Sequence, residues 1–260
     1  MRSPAKKQLG QNFLIDKGVL KRIASLLAIR PDDEVIEVGP GHGELTEEII
    51  ALSPKKLSVI EKDADLWPVI TEKFAENKGF SLIKGDALEL LAKTAPKKGG
   101  WKIVGNIPYY ITGHLFRVIG ELDNPPSLSV FTVQKEVAER ASATPPKMNL
   151  LSASLGFWAD VHMADIVKKG SFRPIPKVDS AVVVITRKKD IPKNAERYYK
   201  TMRALFKQPR KTVLNNLSEG LSMSKEEAEK IFSLSGIDPS LRPQDLSVAN
   251  IIELSDRTPR

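Results

Sequence analysis

No cysteine occurs among the 260 residues of the chain, which excludes disulfides and thiolate metal sites. Histidine is nearly as scarce. His42, His114 and His162 are scattered without the spacing of metal ligands, so each reads as an ordinary surface or loop residue. No stretch reaches the ~18 consecutive apolar residues of a membrane span. The N-terminus lacks the apolar core of a signal segment, and a soluble cytoplasmic protein is expected. There is no internal repeat and no low-complexity segment. What remains is a globular chain long enough for one large domain, or for one large and one small.

Charge is present and unevenly placed. The net charge is +8. Residues 187–217 hold ten basic side chains (Arg187, Lys188, Lys189, Lys193, Arg197, Lys200, Arg203, Lys207, Arg210 and Lys211) against two acids, Asp190 and Glu196. Ten minus two equals the whole net charge, so the rest of the chain sums to zero. A localised excess of this kind fits a polyanion, although most charge runs are only solvated helix faces.

Hydrophobic patterning alternates strand with helix. Strands are predicted at residues 34–38, 57–60, 80–84, 101–105, 128–134, 161–167 and 181–186. Several are continuous apolar runs, as strands covered on both faces require. Helices are predicted at 17–28, 44–52, 66–76 and 113–121. The fold class is therefore α/β, a Rossmann-like, mostly parallel sheet with helices on both sides. The last two strands are joined by a Pro-containing loop and can pair antiparallel. After Arg187 the pattern becomes short helices at 194–207, 210–218, 224–234 and 245–255. This predicts a catalytic domain over 1–186, with 1–16 as an N-terminal lid segment, and a small all-helical domain over 187–260.

The first strand runs into Glu37-Val38-Gly39-Pro40-Gly41-His42-Gly43-Glu44. Glycines at spacing two permit a tight turn and close approach to a ligand. The third glycine falls one position short of the dinucleotide fingerprint, which points to a different adenosine-bearing cofactor. Glu61 ends the second strand, where a carboxylate can accept both ribose hydroxyls of a nucleoside. Asp86 follows the third strand, where it can accept from an adenine amino group. All three features lie at the C-terminal edge of successive strands, where ligands of open α/β sheets bind.

The fourth strand ends in Asn106-Ile107-Pro108-Tyr109. Such a sequence can be a simple turn, because Asn and Pro form turns. It also suits the binding of a planar amino group such as adenine N6. The Asn106 side-chain oxygen and the Ile107 carbonyl can accept its two N–H bonds, Pro108 stiffens the loop, and Tyr109 can stack on the ring. No general base is evident nearby. In the helix over 194–207, Arg197, Lys200, Arg203 and Lys207 share one face, and Tyr198, Met202, Leu205 and Phe206 share another. The helix thus packs by one side and offers charge by the other, with Arg210 and Lys211 following it. Arg2, Lys6 and Lys7 read as a flexible basic arm.

These motifs, taken in order, resemble an S-adenosylmethionine-dependent methyltransferase. More narrowly, the chain is similar to the ribosomal RNA adenine N6,N6-dimethyltransferases of the small-subunit type. The resemblance runs from about residue 6 to residue 255. It includes Gln11-Asn12-Phe13-Leu14, Gln134-Lys135-Glu136-Val137-Ala138, Phe172-Arg173-Pro174-Ile175-Pro176-Lys177-Val178-Asp179-Ser180 and Gln208-Pro209-Arg210-Lys211-Thr212. Tyr110 and Thr112 depart from the commoner family residues. The resemblance implies S-adenosyl-L-methionine as cofactor, contacted by Asn12, Leu14, Gly39, Gly41, Glu61, Asp86 and Asn106. It implies that Asn106 bridges cofactor and target base, and that Phe172 faces Tyr109 across a flipped adenine. It implies dimethylation of two adjacent adenosines in a small-subunit rRNA hairpin, within an immature 30S-type particle. The enzyme is expected to act as a monomer away from membranes. Two alternatives stay open: a large-subunit rRNA methyltransferase of the antibiotic-resistance type, and an assembly factor whose catalysis is dispensable.

Overall fold

The computed structural model describes residues 5–259. Arg2 of the expected basic arm lies outside them. The chain runs β1 (Phe13–Leu14), α1 (Lys17–Leu26), β2 (Glu34–Val38), α2 (Glu44–Ile50), β3 (Lys56–Glu61), α3 (Trp67–Lys73), β4 (Phe80–Lys84), α4 (Ala87–Thr94), β5 (Trp101–Asn106), α5 (Thr112–Gly120) and β6 (Leu128–Gln134). There follow α6 (Lys135–Ala141), α7 (Leu150–Gly156), β7 (Ala159–Val167), β8 (Phe172–Arg173), β9 (Ser180–Arg187), α8 (Ala195–Leu205), α9 (Val213–Leu221), α10 (Lys225–Ser235) and α11 (Val248–Arg257). Two compact units form. One comprises residues up to Ala138 together with His162–Arg187, and the other Glu139–Val161 together with the chain from Lys188 onward.

The seven-stranded sheet has the order β4-β3-β2-β5-β6-β9-β7. β2 pairs parallel with β3 and β5, β3 with β4, and β5 with β6, whereas β9 runs antiparallel to β6. The four central strands are the apolar runs of the sequence. Val35, Ile36, Leu57, Val59, Ile103, Val104, Val130 and Phe131 are buried along them. Parallel pairing in near-perfect register brings the C-terminal ends of β2, β3, β4 and β5 side by side. The separate two-stranded ladder β1–β8 was not expected from the sequence. It pairs Phe13 with Arg173 and Leu14 with Phe172.

Helices end where local chemistry ends them. α1 starts at the cap of Asp16, which accepts from the Val19 N–H, and stops short of the predicted residue 28, where Ala28 is left-handed. α4 was not expected. Asp86 caps it by accepting from the Leu88 N–H. The predicted helix at 66–76 is shorter and enters through a 3-10 turn at Ala64–Leu66. No helix among the described residues is long and apolar enough to cross a membrane.

In the second unit, α8 buries Tyr198, Thr201, Met202, Ala204 and Leu205. The Tyr198 hydroxyl donates to the Ala153 carbonyl at 2.7 Å, and its ring lies 4.4 Å from that of Phe157. Residues 139–161 thereby join the C-terminal helices. α9 starts at Val213 rather than at residue 210, because Thr212 caps it and the residues before it form a turn. Asn216, almost fully buried, shapes that turn. Its Nδ2 donates to the carbonyls of Gln208, Lys211 and Thr212 at 2.9, 3.2 and 3.1 Å, and its Oδ1 accepts from the Gln208 N–H at 2.9 Å.

Candidate active site

The four parallel strand ends surround an open cleft. Asn12, Gly39, Gly41, Glu61, Asp86, Asn106, Ile107, Pro108 and Tyr109, all singled out in the sequence, line it together. Leu14 and Phe172 do not. They sit side by side on the β1–β8 ladder and are buried in the main apolar cluster.

The floor is the turn after β2. Gly39 and Gly41 have φ of +68° and +62°, in the left-handed region that favours glycine. A Cβ on Gly39 would meet nothing within 4 Å, so the cradle is open above it. A Cβ on Gly41 would stand 2.9 Å from the Phe13 ring. Glu61 is 5% exposed; its Oε1 accepts from the Asp63 N–H at 2.7 Å and its Oε2 from the Gly41 N–H at 3.3 Å. Burial raises its pKa, and these two N–H groups oppose the rise. His42, read as a surface or loop residue, lies in this turn and is buried there. Its ring packs edge-on against Phe13 at 4.4 Å.

Glu37 lies beneath the turn, 1% exposed, accepting from the Thr46 hydroxyl at 2.7 Å. Burial pushes its pKa up from 4.5 to about 8, against the pull of that hydroxyl. The folded form therefore holds this proton more tightly than the unfolded chain does. Its stabilising contribution is full at low pH and is lost as pH rises through about 8. A Glu37→Gln variant is expected to lose this part of the pH dependence, flattening the decline in unfolding free energy between about pH 4.5 and pH 8. Urea unfolding across that range tests it. An unchanged decline would assign the titration to another group.

The rim on one side is the N-terminal segment. Asp63 is its anchor. It accepts from Lys6 Nζ at 2.5 Å and from Gln11 Nε2 at 2.8 Å, and Lys6 also reaches Asp65 at 2.6 Å. Burial alone would raise the Asp63 pKa, but these donors outweigh it and hold the carboxyl below its ordinary range. Lys6 is thus committed to Asp63 and Asp65 rather than to a free basic arm. Asp86 is handled similarly. Burial opposes its ionisation, yet the bond from Lys62 at 2.7 Å and the Leu88 N–H keep its pKa low.

The opposite wall is the Asn106 loop. Asn106 Nδ2 donates to the Asn12 carbonyl at 2.8 Å, tying this wall to the N-terminal segment. The Ile107 N–H bonds to the Thr132 carbonyl at 3.0 Å, and the Pro108 carbonyl accepts from the Ile111 N–H at 3.1 Å. The Tyr109 hydroxyl lies 3.1 Å from Ser180 Oγ. Sequence reasoning missed Gln11, Lys62, Asp63, Tyr110 and Ser180. The adjacency of Asp63 to Glu61 in Ile60-Glu61-Lys62-Asp63 was the one available signal. In the helical unit, Lys200, Arg203, Lys207, Arg210 and Lys211 are exposed. Arg197 is half-buried and donates to the Asp256 carbonyl at 3.1 Å, and Lys211 pairs with Glu219 at 2.8 Å.

An open glycine cradle, a buried carboxylate at the second strand tip and a capping carboxylate at the third suit the methionine, ribose and adenine parts of S-adenosylmethionine. Fold and cleft together define a class I S-adenosylmethionine-dependent methyltransferase. The same fold occurs in a dimethyladenosine transferase from Plasmodium falciparum (TM-score 0.78, 23% identity, 93% of this chain and 95% of that one). It occurs also in the 23S rRNA methyltransferase ErmE (TM-score 0.76, 24% identity, 95% and 99%). The family model for ribosomal RNA adenine dimethylases matches residues 2–258. A ribosomal RNA small subunit methyltransferase A from Dehalococcoides mccartyi is 39% identical over 256 residues, 94% of this chain and 85% of that protein. The chain belongs to the ribosomal RNA adenine dimethylase family, and it acts as an rRNA adenine dimethyltransferase that uses S-adenosylmethionine.

Proposed function

We propose that this enzyme dimethylates N6 of two adjacent adenosines in a small-subunit rRNA hairpin, acting as a cytoplasmic monomer on an immature small-subunit particle. One observation carries the chemistry. The Asn106 amide donates one N–H to the Asn12 carbonyl, which fixes the orientation of the side chain and leaves Oδ1 as an acceptor for a base. With the Ile107 carbonyl, Oδ1 accepts both N–H bonds of adenine N6. The N6 lone pair is delocalised into the ring, and two in-plane acceptors favour the tetrahedral nitrogen that develops during attack. Pro108 fixes the loop that presents the Ile107 carbonyl. Tyr109, its hydroxyl held by Ser180, stacks on the extruded base. When bound, S-adenosylmethionine supplies a methyl sulfonium as electrophile. The chain's own part is alignment and exclusion of water, and the N6 proton leaves to solvent.

Cofactor contacts fall to Asn12, Gly39, Gly41, Glu61 and Asp86, which line the cleft together. The unit made of residues up to Ala138 together with His162–Arg187 carries catalysis, and residues 139–161 go with the helical unit. Residues 187–260 dock on folded RNA through Arg197, Lys200, Arg203, Lys207, Arg210 and Lys211, which track phosphates rather than read bases. The small-subunit assignment draws support from the 39%-identical relative of that name, whereas the likeness to ErmE is one of fold. Intact Gly39, Gly41, Glu61 and Asn106 argue against an assembly factor without catalysis.

Incubation with labelled S-adenosylmethionine and undermethylated small subunits, followed by mass mapping, tests the reading. N6,N6-dimethyladenosine is expected at two neighbouring positions. Label confined to large-subunit RNA would transfer the assignment there, and absence of label would refute it.

A further inference from the structure

The β7–β9 connector, residues 168–179, carries four cations and one acid: Lys168, Lys169, Arg173 and Lys177 against Asp179. It is stitched to the catalytic mouth at three places. Its Ser171 carbonyl accepts from the Ile15 N–H at 2.9 Å, β8 pairs with β1 of the lid, and Ser180 at its end meets the Tyr109 hydroxyl. Asp179 is already committed, accepting from Lys168 Nζ at 3.1 Å and from the Lys169 N–H at 3.0 Å. Arg173 fixes its guanidinium on the connector itself, one nitrogen donating to the Gly170 and Phe172 carbonyls at 3.2 and 2.8 Å. Lys169, Arg173 and Lys177 are all exposed. Between these cations Ile175 and Val178 stand 57% and 46% exposed.

Exposed aliphatic side chains set among cations, on the lip of a site that takes an extruded base, match unpaired RNA. Phosphates meet the cations, and a ribose or base face meets the apolar tip. We propose that this connector is a second RNA-binding surface, distinct from the helical unit, which grips the single-stranded nucleotides flanking the target adenosine. Arg173 and Lys177 hold phosphates, and Ile175 and Val178 lie against the neighbouring nucleotide. The proposal rests on the adenine-methylation reading given above. Pro174 and Pro176 limit the backbone freedom that binding would otherwise freeze out.

The test uses the full chain and a naked hairpin RNA with two adjacent loop adenosines. For R173A/K177A, KM for the RNA is expected to rise about tenfold near 0.15 M salt. The slope of log K against log salt should become shallower by about 1.4, at ~0.7 for each single-strand phosphate no longer neutralised. The Kd for S-adenosylmethionine should not change. The single variant K177E, at an exposed position, should raise KM in the same direction. Wild-type KM and slope in both variants would overturn the proposal. So would a defect on intact subunits but not on the naked hairpin, which would place a ribosomal protein on this surface. Failure of the wild-type chain to methylate N6 at all would sink the parent reading instead, while the salt slope alone still scores the connector.

Discussion

Asn106→Ala is expected to lower kcat for methyl transfer by about 10²–10³-fold, the scale seen when one preorganised hydrogen-bonding group is removed from a reacting centre. The loss has two parts. The side-chain acceptor for N6 disappears, which acts on chemistry alone. The donor that binds the Asn12 carbonyl at 2.8 Å also disappears, which loosens the lid over the cofactor. A net hydrogen bond is worth about 0.5–1.5 kcal/mol, so cofactor Kd should weaken roughly two- to tenfold. Asn106→Asp separates the parts, since it keeps an acceptor but loses the donor. Single-turnover rates and calorimetric cofactor binding measure the two effects independently. RNA binding should be retained. Transfer by Asn106→Ala at the wild-type rate would dismiss the acceptor mechanism.

The second large effect is one of packing. A Cβ on Gly105 would lie 2.5 Å from the Val38 carbonyl oxygen and 2.8 Å from Ile107 Cδ1. Val38 and Gly105 are partners in the β2–β5 pairing at the centre of the sheet. A backbone carbonyl held in a sheet cannot swing aside as a flexible side chain can. Gly105→Ala is therefore expected to destabilise the protein by about 3 kcal/mol, at the upper end for overpacking a core. The strain falls between the two strand ends that carry Gly39 and Asn106, so surviving folded protein should also bind cofactor less well. Gly113→Ala is the control, since a Cβ there meets nothing within 4 Å. Urea midpoints for the pair decide the matter. Equal midpoints would mean that the two strands can part at no cost.

Most of the sheet was legible because buried parallel strands are written as apolar runs. Residues 34–38, 80–84 and 128–134 match β2, β4 and β6 end to end. The residues of the cleft were legible for a related reason. Glu61, Asp86 and Asn106 stand at strand tips, and parallel register carries the tips to one edge. Illegible were the features made by distant pairings. Asp63 binds Lys6 and Gln11 across 57 and 52 residues, and no local period encodes that. β1 and β8 are two residues each, too short for alternation to show. The burial of His42 within its turn depends on a ring arriving from Phe13, which no local sequence signal encodes. α7 carries its signal in an Asn149–Ser152 capping box, which mutual hydrogen bonds reveal better than the sequence does.

Asn216 spends its whole amide on residues 208–212. The turn bearing Lys207, Arg210 and Lys211 is therefore built from within, by a buried side chain that carries no charge. The cations are cargo on a mount they do not shape. Under the RNA-docking reading proposed above, exchanging them retunes affinity for RNA while the turn stays as it is.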